Sequence, residues 1–238
     1  MALKFNGVDL DMIVTEHNAP DFGQEVHYVQ LPDVAYAFGA TRNAKPISVD
    51  VVIKGISYDE VMGKLDTLKL VLNERNTCPL ELRADRYYNA VFNSLKGNFE
   101  APTVWVGIIE FLCPDPVAYS TMDTVSEYTI DNDPQSITET TDGTGFISPV
   151  YTLEANAPAT TVTLENIKTL EKLQWAGGLA AGDTLEIDVV KWYVSKNGMP
   201  SMATVSGQFP RLMPATDNDI VITGFKGIIS ISYRNRWV

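Results

Sequence analysis

Cysteine and histidine are scarce: two of each in 238 residues. Cys78 and Cys113 each precede a proline, and His17 and His27 lie far from both. No two of these four have the short ligand spacing that a zinc site takes. One disulfide is the most that two thiols could form. Reduced structural thiols are the expectation for a chain made in a cytoplasm. Cations are short as well, with 18 Lys and Arg against 30 Asp and Glu, a net charge of −12. Phosphate backbones are bound by clustered Lys and Arg, so a nucleic-acid role is set aside, and an anionic membrane surface is disfavoured for the same reason. No apolar run approaches the ~20 residues of a membrane helix. The opening Met1 to Gly7 turns polar too soon for a signal peptide.

Catalytic and ligand signatures are thin. Asp131-Asn132-Asp133 and Asp217-Asn218-Asp219 resemble fragments of calcium loops. Neither has the glycine and distal glutamate of the full motif, so both read as solvated turns. Gly143-Thr144-Gly145 is too short to cradle a phosphate, and no Ser lies in a Gly-x-Ser-x-Gly elbow. The histidines read as surface or strand residues. No catalytic, cofactor or metal residue is assigned, no cofactor is expected, and the chain is not read as an enzyme. Of the tryptophans, Trp105 sits in an apolar strand and reads as core. Trp175 precedes a glycine turn and is the best candidate for an exposed ring. Trp192 and Tyr193 are neighbours, so in a strand they face opposite sides. Trp237 lies at the end.

What is present is apolar material, 45% of residues, patterned mostly with period two. Ile47, Val49, Val51 and Ile53 alternate with Ser48, Asp50 and Lys54, and 86–95 and 103–112 read as further strands. One helix interrupts them, at about 57–74. Ser57 and Glu60 form a capping box, Ile56 and Val61 stand where a hydrophobic staple would be, and Val61, Leu65, Leu68 and Leu72 make one stripe. The stretch 18–45 reads as long, irregular and partly apolar. Residues 131–149 are dense in Asp, Asn, Pro, Ser, Thr and Gly and read as loop. Beyond lie short strands at 162–164, 185–194, 220–222 and 228–233, with a turn signal at Asn197-Gly198 and an ambiguous stretch at 163–173. The fold class is therefore mainly β in two domains: 1–125, a sheet with one helix, and 126–238, a β-sandwich.

Five segments occur in an order that resembles the distal tail protein family of siphophages. They are Phe5-Asn6-Gly7-Val8, Arg86-Tyr87-Tyr88-Asn89-Ala90, Cys113-Pro114-Asp115-Pro116-Val117-Ala118-Tyr119, Gly207-Gln208-Phe209-Pro210-Arg211-Leu212-Met213-Pro214 and Tyr233-Arg234-Asn235-Arg236-Trp237. Two departures stand out. The family often has Gly-Arg-Asp-Gly where this chain has Leu31-Pro32-Asp33-Val34-Ala35-Tyr36, and Gly-x-Asn where Pro214 is followed by Ala215-Thr216-Asp217-Asn218.

The resemblance implies a ring-forming N-terminal domain and a galectin-like C-terminal sandwich. It implies a homohexameric ring in the virion, seated on the tail tube protein and carrying the tail-associated hub protein. Receptor-binding proteins dock on the outer domain in some relatives. The alternative is a lectin-like tail protein that contacts host-wall carbohydrate through Trp175 or Trp192. Neither reading involves nucleic acid or membrane.

Overall fold

The computed structural model describes residues 3–17, 25–30, 35–41 and 44–238. They divide into two compact units, 1–121 with Val238 and 122–237. Among the described residues the architecture is mainly β, with one α-helix.

The first unit contains β1 (Leu3–Phe5), β2 (Val8–Leu10), β3 (Ile13–His17), β4 (Glu25–Gln30), β5 (Ala35–Thr41), β6 (Lys45–Lys54), α1 (Tyr58–Leu72), β7 (Cys78–Arg83), β8 (Arg86–Ala101), β9 (Val104–Cys113) and β10 (Ala118–Ser120). Its main sheet runs β2-β1-β7-β8-β9-β6-β3, with β10 paired to β8. Alternation fixes the register. Ile47, Val49, Val51 and Ile53 point to one face with Trp105, Ile109 and Phe111 opposite them across the ladder. A one-residue slip would turn the whole set outward.

Helix α1 covers that face. Ser57 Oγ accepts from Glu60 N at 3.2 Å, and Glu60 returns a carboxylate oxygen to Ile56 N at 2.7 Å, one residue before the usual target. The N–H of Ile56 and the lysine at position 64 hold the Glu60 carboxyl below its ordinary range. Val61, Leu65, Leu68 and Leu72 are buried, as their spacing predicts. Each buried side chain is worth about 2 kcal/mol. The staple does not form: Ile56 is 93% exposed. Val61 packs instead on Gly55, where a Cβ would stand 2.9 Å from its methyl group.

The stretch expected to be irregular contains a β4–β5 hairpin, paired from Glu25↔Thr41 to Gln30↔Ala35 around a bulge. Its local alternation was hidden by the Gly and Ala of β5. Residues 18–24, 31–34 and 42–43 of that stretch, including the divergent Leu31-Pro32-Asp33-Val34, lie outside the described residues.

The second unit contains β11 (Thr124–Ile130), β12 (Gln135–Thr140), β13 (Val150–Ala155), β14 (Val162–Asn166), β15 (Glu171–Trp175), β16 (Thr184–Asp188), β17 (Tyr193–Lys196), β18 (Met199–Pro200), β19 (Val205–Gly207), β20 (Asp217–Thr223) and β21 (Gly227–Tyr233). Two sheets, β11-β21-β13-β16-β17-β18 and β12-β20-β14-β15-β19, enclose one core. Tyr151, Leu153, Ile187 and Ile229 come from the first sheet, and Leu164, Leu173, Trp175 and Ile222 from the second. This is a β-sandwich.

Several expectations are corrected here. Residues 185–194 are two strands, because Asp188 ends β16 and a turn ending at Trp192, with φ of 55°, precedes β17. The stretch 163–173 is the β14–β15 hairpin, with no helix. The loop-like 131–149 contains β12, whose threonines face aspartates across the ladder. Asp217-Asn218-Asp219 is therefore strand, not a solvated turn: Asp219 accepts from Thr138 at 2.9 Å and Asp217 from Thr140 at 2.6 Å. Both cysteines are free thiols and buried. Burial pushes the Cys113 thiol up to about 12, with Asp115 adding to the effect.

A candidate interaction surface at one end of the C-terminal sandwich

Trp175 is not the exposed ring that its glycine turn suggested. It is fully buried, its indole N–H donates to Ser201 Oγ at 2.9 Å, and Gly177 is glycine because a Cβ would reach within 2.3 Å of the ring. Trp192 is the exposed one, at 66%. Tyr193, beside it, begins β17 half-buried. Trp105 is core as expected.

Trp192 stands at one end of the sandwich, where four connections meet. They are the segment before β13, the β14–β15 turn, the β16–β17 turn and the loop from β19 to β20. The last holds Phe209-Pro210-Arg211-Leu212-Met213-Pro214, and polar groups stitch it down. Tyr151, wholly buried, donates its hydroxyl to Pro210 O at 3.0 Å; burial raises its phenol far above the ordinary value. Asn166 donates to Arg211 O at 2.6 Å and to Asn218 Oδ1 at 3.0 Å. Asn218 accepts from Met213 N at 2.7 Å and donates to Met213 O at 3.0 Å and Thr216 O at 3.2 Å. Leu212 fills the core and exchanges backbone hydrogen bonds with Ile147. A side-chain amide suits this place because it presents both donors and an acceptor to a loop with no ladder of its own.

Two ion pairs finish the surface. Glu171 accepts from Arg211 N and Nε, each at 2.8 Å. Burial by itself would raise the Glu171 carboxyl, but the arginine brings it below the usual range. Asp188 accepts from Lys191 N at 2.9 Å and Nζ at 2.7 Å, closing the turn that presents Trp192. Arg211 lies 4.9 Å above the Phe146 ring, and Trp192 packs on Phe209 with centroids 5.6 Å apart. Such a surface can grip a partner but offers no nucleophile poised beside a base. No group of three His, Cys, Asp or Glu converges as a metal set among the described residues. Among the described residues no helix is long and apolar enough to cross a membrane.

A second assembly carries a buried carboxylate. Glu139 accepts from Ser126, Tyr128 and Tyr233 hydroxyls at 3.0, 2.8 and 2.8 Å. Burial, then Glu139, push the Tyr128 phenol up to about 12 and Tyr233 higher. This cluster ties β11, β12 and β21 together and is structural. The two histidines lie on strands, His17 on β3 and His27 on β4.

Residues 142–237, which include all four connections, match the model of the siphovirus-type tail component, C-terminal domain. The Dit protein of phage SPP1, described as a paradigm of the hub adsorption apparatus in phages that infect Gram-positive bacteria, superposes with a TM-score of 0.81 over 100% of this chain and 99% of that one, at 14% identity. Residues 142–237 thus match the siphovirus-type tail component family, and the whole chain shares the fold of that distal tail protein. A component of the phage P2 baseplate, in its activated conformation with calcium, matches with a TM-score of 0.50 over 96% of this chain and 92% of that one, at 8% identity. No curated protein matches the sequence. Identities this low carry the fold alone, and the family match covers the C-terminal unit. The anchored Phe-Pro-x-Leu-x-Pro loop lies inside the matched region.

Proposed function

We propose that the protein forms a ring, a homohexamer, at the distal end of a long non-contractile tail. It joins the tail tube protein to the tail-associated hub protein, is assembled in the bacterial cytoplasm, and does no enzymatic chemistry. The observation that carries this reading is the main sheet of the first unit. Among the described residues its path ends in two unlike strands, β2 on one side and β3 on the other. Unlike complementary patches on each subunit are what a closed head-to-tail ring needs, and each interface needs about 1,000 Å². Open edges also invite strand pairing, and a ring removes them. Residues 17–46, which run from the end of β3 through the β4–β5 hairpin, are assigned to the ring contact.

Light scattering across a concentration series, with negative-stain images of the same sample, tests the ring. A hexamer with a central hole is expected. A monomer at every concentration, both alone and with tail tube protein added, overturns the reading. Deleting Val34 to Gly39 abolishes ring closure and leaves the C-terminal unit folded; a ring that still closes removes the hairpin from the interface.

The carbohydrate-binding alternative has lost Trp175 to the core and keeps only Trp192. The outer face of the β12-β20-β14-β15 sheet presents residues such as Ser136, Thr138, Thr163, Glu165, Lys172 and Gln174, with no aromatic ring for a sugar to stack on.

A further inference from the structure

The chain holds two Asn-Gly pairs, Asn6-Gly7 and Asn197-Gly198, and the fold puts both in the same turn. Each pair is the whole loop of a two-residue hairpin. Phe5 faces Val8 across the first, and Lys196 faces Met199 across the second. Backbone φ is 51° and 74° at Asn6 and Gly7, and 50° and 76° at Asn197 and Gly198. Positive φ at both central residues is what a type I′ turn takes. All four residues are exposed, and a Cβ on either glycine would meet nothing within 4 Å. Backbone and access to water are therefore matched between the two sites.

The asparagine side chains are not matched. Asn197 is locked at both ends of its amide: Nδ2 donates to Asp183 Oδ1 at 2.7 Å, and Oδ1 accepts from Thr184 N at 2.8 Å. Asp183 is itself fixed, by Ala180 N at 2.7 Å and by Lys196 Nζ at 2.9 Å. Asn6 is tied only through its backbone, whose N–H donates to Pro79 O at 3.0 Å. Among the described residues no hydrogen bond holds its side chain.

An asparagine followed by glycine can cyclise. The Gly7 nitrogen bonds to Asn6 Cγ, the Cγ–Nδ2 bond breaks, and ammonia leaves with the proton that the Gly7 nitrogen gives up. Water then opens the cyclic imide at either carbonyl, giving aspartate or isoaspartate. Cγ must swing onto the next nitrogen, and glycine puts no side chain in its way. Asn6 is free to swing, whereas Asn197 must first break two hydrogen bonds. The products differ in their effect on the fold. Aspartate tolerates left-handed backbone, so the hairpin survives. Isoaspartate routes the main chain through the side-chain carbon and lengthens a two-residue loop, so Phe5 and Val8 no longer align. Strand β2 is three residues at the end of the main sheet path, and it carries Leu10 into the core.

We propose that Asn6 is a site of spontaneous deamidation whose isoaspartyl product releases strand β2, and that Asn197, in the same turn, is protected by Asp183 and Thr184. The proposal concerns the chain's own chemistry and stands apart from the tail reading.

The test ages the purified full chain in mildly alkaline buffer, folded and, in parallel, in urea. Peptide mapping by mass spectrometry reads conversion at each site, and an S-adenosylmethionine-dependent isoaspartyl methyltransferase labels the isoaspartate. In urea the two sites should convert at similar rates. In the folded protein Asn6 should convert about tenfold or more faster than Asn197, the scale of breaking two hydrogen bonds. Asp183→Ala should raise the Asn197 rate and leave the Asn6 rate unchanged. Equal conversion at the two sites of the folded parent, or faster conversion at Asn197, overturns the proposal. So does an unchanged Asn197 rate in folded Asp183→Ala protein. If that variant does not fold, the folded-to-urea ratio at each site of the parent decides the question. Hydrogen exchange on the isoaspartyl fraction, separated by ion exchange, should rise at Val8 to Leu10. Protection there equal to that of the fresh protein overturns the release of β2.

Discussion

The N-terminal unit seals its core with hydrocarbon, whereas the C-terminal unit buries polar groups as well. Among the described residues Glu139, Thr141, Asn166, Glu171, Asp188, Ser195 and Asn218 are the buried polar or charged ones, and all seven lie in the C-terminal unit. The difference follows from what each unit has to hold. In the first, a helix stripe meets an alternating sheet face, and the elements in contact carry their own helix and ladder hydrogen bonds. In the second, long connections cross the end of a sandwich, and their backbone has no ladder. Side chains such as Asn218, Asn166 and Tyr151 supply the missing partners from inside. The lesson is that a non-regular end of a sandwich is held by internal polar anchors, and that these anchors make it vulnerable.

Substitutions should separate the two units. Asn218→Ala removes the acceptor of Met213 N and of one Asn166 amide hydrogen, at roughly 2 kcal/mol each, so the C-terminal unit should lose about 4 kcal/mol. Leu68→Ala should cost the N-terminal unit about 3 kcal/mol through lost burial and a cavity. Urea unfolding reads both: Trp105 reports on the first unit, where it is the only tryptophan, and Trp175 on the second. If Asn218→Ala lowers both transitions equally, the contrast between the units fails.

Alkaline pH sharpens the same contrast. The Tyr128 and Tyr233 phenols are raised in the folded state by burial and by Glu139. Below the ordinary phenol value, about 10, they are neutral in both folded and unfolded chains and their contribution is intact. Above it the unfolded chain ionises first, so C-terminal stability should fall progressively from about pH 10 up to the raised values. Tyr128→Phe and Tyr233→Phe should flatten that slope, and circular dichroism melts at stepped pH would show it. A slope of equal steepness in the double variant would mean that other groups carry the alkaline loss.

The smallest expected effect is at the helix start. Ser57→Ala removes the cap on Glu60 N and should cost about 1 kcal/mol in the N-terminal unit only. Hydrogen exchange should localise the loosening to the first turn of α1. Uniform loosening across the sheet would show that the cap supports more than the helix.

The contrast also marks how far the sequence could be read. The helix, its cap, its buried stripe and the strands that follow it are local facts, set by periods of 3.6 and 2 within short windows, and they stand as read. So does the mainly β class of the whole. The Phe209 to Pro214 motif was visible as a turn, but nothing in it showed that Asn166 and Asn218, 52 residues apart, would meet beneath it. Asp217-Asn218-Asp219 looked like a solvated turn because its partners, Thr138 and Thr140, are distant in sequence. The tryptophans show the limit most clearly. A glycine beside Trp175 suggested an exposed ring, whereas Gly177 is there to let the indole pack inward. Trp192 looked like part of a strand, whereas a left-handed turn sets it outward. The sequence by itself determined the helix, its cap and the alternating apolar faces of the strands around it, because those depend on neighbours along the chain. Only the tertiary structure decided which aromatic rings are buried and which loops form one surface, because those depend on contacts between residues that the sequence keeps far apart.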